Sequence, residues 1–77
     1  MQYTINIANN LTHLYPGLNR EEKVHSTSPL TINEMAVRLG ISPLLVVRAV
    51  VDGKIHPLDN PIKNDTDITL FGPIAGG

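Results

Sequence analysis

An α+β domain, with one main helix packed on one face of a small mixed sheet, is the architecture this chain predicts. Three observations lead there. Near both ends of the chain, apolar and polar residues alternate with the period of a half-buried strand: Tyr3, Ile5 and Ile7 against Thr4 and Asn6, then Ile68 and Leu70 against Thr69 and Phe71. Between these segments lies one stretch with both the start signal and the period of an amphipathic helix, Thr31 to Leu39. After it, a β-branched run meets Asp52-Gly53, a strong two-residue hairpin signal.

The first strand covers Tyr3 to Ile7. From Asn9 to Arg20 the chain is polar and holds no period; Leu11, Leu14, Leu18 and the Tyr15-Pro16-Gly17 turn signal read as a loop with a few anchoring side chains. Glu22 to Ser26 is the candidate second strand, antiparallel to the first. Thr31-Ile32-Asn33-Glu34 forms a capping box: the Thr31 hydroxyl accepts from the Glu34 amide, and the Glu34 carboxylate accepts from the Thr31 amide. Ile32, Met35, Ala36 and Leu39 then recur at i, i+3, i+4 and i+7, an apolar stripe that lies on a sheet. Arg38 suits the negative helix end, and Gly40 followed by Ile41 predicts a left-handed cap with a contact back onto the helix.

Ser42-Pro43 repeats the start signal, serine as N-cap and proline at the first helical position, so Pro43 to Leu45 reads as one turn. Val46 to Val51 is the next strand. Lys54-Ile55-His56 returns antiparallel with Val50 opposite Ile55; valines on both sides of the run leave its buried face open. Pro57 and Pro61 exclude a central strand from Pro57 to Lys63, where Leu58 and Ile62 plug the edge of the core. Asn64-Asp65-Thr66-Asp67 reads as a turn before the closing strand. This element order describes the β-grasp fold, and a right-handed crossover through the helix places the first and last strands side by side at the sheet centre.

Size and composition bound the function. With 77 residues the chain makes a single domain, residues 1–71, plus a tail, 72–77, and its core is too small to enclose a large active site, so a self-sufficient enzyme is not expected. Six Lys and Arg against seven Asp and Glu give a formal charge of −1, which offers no footprint for nucleic acid and no basic stripe for a membrane surface. There are no cysteines, hence no disulfide, no thiolate metal site and no cysteine nucleophile. Met1 to Ile7 lacks a basic n-region and an unbroken apolar run, so a cytoplasmic location is expected.

The tail, Gly72-Pro73-Ile74-Ala75-Gly76-Gly77, carries the functional signal. Gly76 and Gly77 have no Cβ, so this end can lie extended in a narrow slot and bring its carbonyl carbon against a nucleotide held by another enzyme. Pro73 fixes its own φ and biases Gly72 toward extended geometry. Six such residues reach about 20 Å. A frayed end accounts for two terminal glycines equally well when they are taken alone.

Asp52-Gly53-Lys54-Ile55, Leu58, and the stretch from Asn64 through Leu70-Phe71-Gly72-Pro73-Ile74-Ala75-Gly76-Gly77 resemble the carboxyl half of the MoaD/ThiS family, the ubiquitin-like sulfur carriers of molybdopterin and thiamine biosynthesis. The likeness holds in order and spacing from about Asp65 to Gly77, and more loosely from Ile32 onward. It departs in the turn, Asn-Asp-Thr-Asp where the family favours Asp-Gly-Asp, and in Gly72-Pro73 where molybdopterin members often have two prolines. The resemblance implies a ubiquitin-like β-grasp with a flexible Gly-Gly tail, acting as a carrier protein or as the small subunit of a synthase complex. It further implies an adenylating partner of the ubiquitin-activating type, which holds ATP and Mg and adenylates the Gly77 carboxylate. A cysteine desulfurase or rhodanese-like donor then supplies sulfur, and Gly77 becomes a thiocarboxylate that a synthase subunit consumes. Gly76, Ala75, Ile74, Pro73 and Gly72 would lie in the partner's active site, and the chain itself would bind no cofactor and no metal. Molybdopterin and thiamine pathways both stay open, as do two other roles: a modifier joined to lysines through Gly77, and a non-catalytic interaction module.

The other reactive side chains carry no motif. His13, His25 and His56 lack metal-ligand spacing, and Asp59, Asp65 and Asp67 fit turn chemistry rather than a calcium loop. No Gly-rich phosphate loop or Ser/His/Asp arrangement is present. Phe71, the sole phenylalanine, falls by alternation on the face opposite Ile68 and Leu70, where it reads either as a docking anchor beside the tail or as a buried rim residue.

Overall fold

A computed structural model of the protein describes residues 1–74. It contains β1 (Gln2–Ile7), α1 (Asn9–Thr12), β2 (Glu21–His25), α2 (Ile32–Arg38), a 3-10 turn (Pro43–Leu45), β3 (Arg48–Val51), β4 (Lys54–His56) and β5 (Thr66–Phe71). The five strands form one sheet in the order β2-β1-β5-β3-β4. β1 and β5 run parallel at its middle, from Tyr3 beside Thr66 to Ile7 beside Leu70, and the other neighbours pair antiparallel. The first and last strands lie side by side at the sheet centre, as predicted.

Strand alternation builds the core. Tyr3, Ile5 and Ile7 of β1, Ile68 and Leu70 of β5, and Ala49 of β3 are buried on one sheet face and meet Ile32, Met35 and Ala36 of α2. Each large apolar side chain fully buried in this way contributes about 1.5–3 kcal/mol. Ala49 answers the question the valine run left open: Ala49 points inward, while Arg48 and Val50 belong to the outer face. The sheet-helix contact is tied down by one buried polar group. The Tyr3 hydroxyl donates to the Ile62 carbonyl at 2.7 Å and accepts from the Leu30 amide at 3.1 Å, joining β1 to both segments that flank the helix layer.

The capping box at Thr31 and Glu34 is present in both directions. Hydrogen bonding from the Thr31 backbone, then from its side chain, holds the exposed Glu34 carboxyl below its ordinary range. At the other end, Gly40 at φ 78° allows the Gly40 amide to reach the Val37 carbonyl and the Ile41 amide the Ala36 carbonyl, and Ile41 is buried. Asp52 and Gly53 both take positive φ, the two-residue turn geometry that matches strand twist, and Val50 faces Ile55.

Five local expectations are corrected. Asn9–Thr12 is a helical turn rather than loop; four residues are too few to show a period, and its start at Ala8 has no side-chain cap. Thr66 and Asp67 belong to β5 rather than to a turn, because Tyr3 and Thr4 of β1 lie beside them in the ladder. β3 starts at Arg48, not Val46, since the 3-10 turn runs to Leu45 and Val46 caps it. That turn also lacks the serine cap: the Ser42 side chain makes no capping bond, and its amide donates to the Tyr15 hydroxyl instead. Leu39 lies at the rim of the core, half-buried, whereas Ile32, Met35 and Ala36 are fully buried.

Candidate functional site

The site is the place where β5 leaves the sheet. Phe71, the last residue of β5, pairs with Arg48 of β3, and its carbonyl accepts from the Val47 amide at 2.8 Å. Its ring lies half-buried on the outer face, opposite buried Ile68 and Leu70, as alternation predicts. The Arg48 guanidinium sits 5.3 Å from the ring centroid, a cation-π contact worth about 0.5–1 kcal/mol on a surface. Val50 and the exposed Ile55 continue this face across β3 and β4, so an apolar strip with one cation runs from the hairpin to the tail.

Gly72 lies within the domain rather than free in the tail. It is buried, and a Cβ built on it would come within 2.8 Å of Leu11 Cδ2 and 3.2 Å of the Asn10 carbonyl oxygen. Its main chain is held by a side chain: Asn10 Nδ2 donates to the Gly72 carbonyl at 3.0 Å, and the Gly72 amide donates to Asn10 Oδ1 at 2.9 Å. Glycine here serves close approach to α1. Pro73 and Ile74 follow as exposed residues, and with Asn9, Asn10, His13, Leu14 and Leu45 they border an open, mostly apolar groove. Ala75, Gly76 and Gly77, the remaining tail residues singled out from sequence, lie outside the described residues.

The other candidates do not gather. His13 and His25 are exposed on separate elements, and the half-buried His56 ring meets the Asn60 carbonyl through Nε2 at 3.1 Å. Asp65 accepts from the Gln2 amide, fastening the start of β5 to β1. Among the described residues no group of three or more His, Cys, Asp or Glu is placed to hold a metal ion, and no helix is long and apolar enough to cross a membrane. Asn10 and Arg48 are the residues that sequence reasoning missed. Both partners are distant in the chain, so no local spacing marks them.

The crystal structure of SAMP1 from Haloferax volcanii matches this architecture over 100% of both chains, with a TM-score of 0.70 at 14% sequence identity. The protein has the ubiquitin-like β-grasp fold. At that identity the likeness is one of fold. No protein-family model matches the chain, and no curated protein matches it at a significant level. Within the ubiquitin-like β-grasp, the strand that delivers the tail is central, paired on both edges, and anchored at its last residue, Phe71, by Val47 and just beyond it, at Gly72, by Asn10.

Proposed function

We propose that this ubiquitin-like protein is a sulfur carrier that works through the Gly77 carboxylate and has no catalytic site of its own. The observation that carries the reading is the exit of the tail: a central strand paired on both edges leads into a clamped Gly72, from which Pro73 to Gly77 continue. Those five residues span at most about 17 Å when extended, enough to enter a partner's active site while the folded body stays at its mouth. The small residues Ala75-Gly76-Gly77 support the same reading, because they suit a narrow slot.

The chemistry follows from a carboxylate being a poor acyl donor. On an adenylating partner holding ATP and Mg, a Gly77 carboxylate oxygen attacks the α-phosphorus and pyrophosphate leaves, giving an acyl adenylate. A persulfide from a desulfurase or rhodanese-like donor attacks the acyl carbon and AMP leaves. Cleavage of the resulting acyl disulfide by a second thiol leaves a thiocarboxylate, which a synthase subunit consumes in making molybdopterin or the thiazole of thiamine. Phe71 and Arg48 form the docking face beside the tail, and the process belongs to the cytoplasm.

Intact mass after incubation with ATP, an activating enzyme and a persulfide donor tests this. A gain equal to oxygen replaced by sulfur is the expected result. Ladders on other proteins would identify a modifier instead, and an unchanged mass would leave a β-grasp interaction module.

A further inference from the structure

The ladder that holds β5 changes character at its end. On the β1 side, Ile7 lies beside Leu70, and the Ala8 amide donates to the Leu70 carbonyl at 3.0 Å. There the β1 main chain turns away into α1, whose Leu11 and Thr12 amides close back on the Ala8 carbonyl. Among the described residues Gly72 has no main-chain hydrogen-bond partner, yet both of its polar groups are satisfied, by the two ends of one carboxamide. A primary amide presents a donor and an acceptor side by side, as a peptide group does, so Asn10 stands in for the missing strand. An aspartate offers no donor, and a glutamine is one methylene longer. The next residue, Pro73, has no amide hydrogen to extend the ladder.

From this we infer that Asn10 is the positioning residue for the tail: its carboxamide fixes the point and direction at which the chain departs toward Gly77. The inference rests on the reading that the protein works through Gly77. With the clamp closed, the reach to Gly77 is counted from Gly72. With it open, the origin retreats toward Phe71, adding about 3.5 Å of slack per released residue. Acyl activation depends on near-attack alignment, where a misplacement of about 1 Å costs on the order of 100-fold. Asn10 touches neither nucleotide nor acyl carbon and acts only through Gly72.

Wild type, Asn10→Ala and Asn10→Asp test this in two measurements: amide hydrogen exchange at Gly72, and steady-state adenylation by an activating enzyme of the ubiquitin-activating type with ATP. Asn10→Ala is expected to speed Gly72 exchange roughly tenfold or more and to lower kcat/KM by a similar factor, because it removes both hydrogen bonds to Gly72. The Ile5 and Ile68 amides should keep their protection, showing an intact sheet. Asn10→Asp retains the acceptor for the Gly72 amide and should fall between the two in both readouts. Normal kcat/KM in Asn10→Ala, or unchanged Gly72 exchange, overturns the positioning role. A wild-type protein that is not adenylated overturns the Gly77 reading itself and the role with it, a result distinguishable because it appears before any substitution.

Discussion

Gly72→Ala probes the root of the tail most sharply. The new methyl would sit 2.8 Å from Leu11 Cδ2, 2.9 Å from Leu11 Cγ and 3.2 Å from the Asn10 carbonyl oxygen. Leu11 is fully buried, so its side chain has no solvent to swing into, and the third contact is backbone. Forcing a methyl into a packed site of this kind costs about 1–3 kcal/mol. Against that, replacing glycine restricts the unfolded chain and returns about 0.4–1 kcal/mol. At mid-range values a net loss of about 1.3 kcal/mol remains, which in a domain this small lowers the melting temperature by roughly 5–10 °C. Thermal unfolding followed by circular dichroism reads it directly. Gly17→Ala is the matched control, because a Cβ there meets nothing within 4 Å, and it should melt at or slightly above wild type. A Gly72→Ala protein as stable as wild type would show that Leu11 does not pack against Gly72, and the tail root would have to be redrawn.

Tyr3→Phe removes the one group that satisfies both the Leu30 amide and the Ile62 carbonyl, and should cost about 1–3 kcal/mol in urea unfolding; a change within about 0.5 kcal/mol would contradict the buried pairing. Glu34 has a depressed folded-state pKa, so its cap stabilises fully above the ordinary glutamate value of about 4.3 and is lost as pH falls through the folded value. Glu34→Gln keeps an acceptor but cannot titrate, so wild type should lose its advantage over this variant in melts taken at decreasing acid pH, and parallel curves would refute the cap's charge dependence. Phe71→Ala should weaken binding to the activating enzyme by more than about 2 kcal/mol while stability falls only about 1 kcal/mol, mostly the Arg48 contact; a large melting loss with normal binding would make Phe71 a core residue.

The elements legible in the sequence are those whose causes are local. Thr31 and Glu34 announce α2 because the capping box lies within three residues of chain, and Asp52-Gly53 announces the hairpin because only that backbone geometry joins the two strands in two residues. Tyr3, Ile5, Ile68 and Leu70 alternate visibly because one sheet face is buried. What escapes has distant causes. Thr66 and Asp67 carry turn-like side chains, but main-chain pairing with Tyr3 and Thr4, more than 60 residues away, makes them strand. Asn10 looks like any loop asparagine until the sheet brings Gly72 beside it across 62 residues. Gly72 reads from sequence as the first residue of an extended tail, whereas the fold uses it for close contact with Leu11.

If Gly77 is the group that is activated, an activating enzyme transfers AMP from ATP to its carboxylate. Wild type, a protein lacking Gly77 and a protein carrying one residue appended after Gly77 are compared by intact mass, with thermal melts alongside. The Gly72 clamp and the core are built from residues 1–74, so all three should melt together. Only wild type should gain AMP. A truncated protein that still accepts AMP would contradict the account.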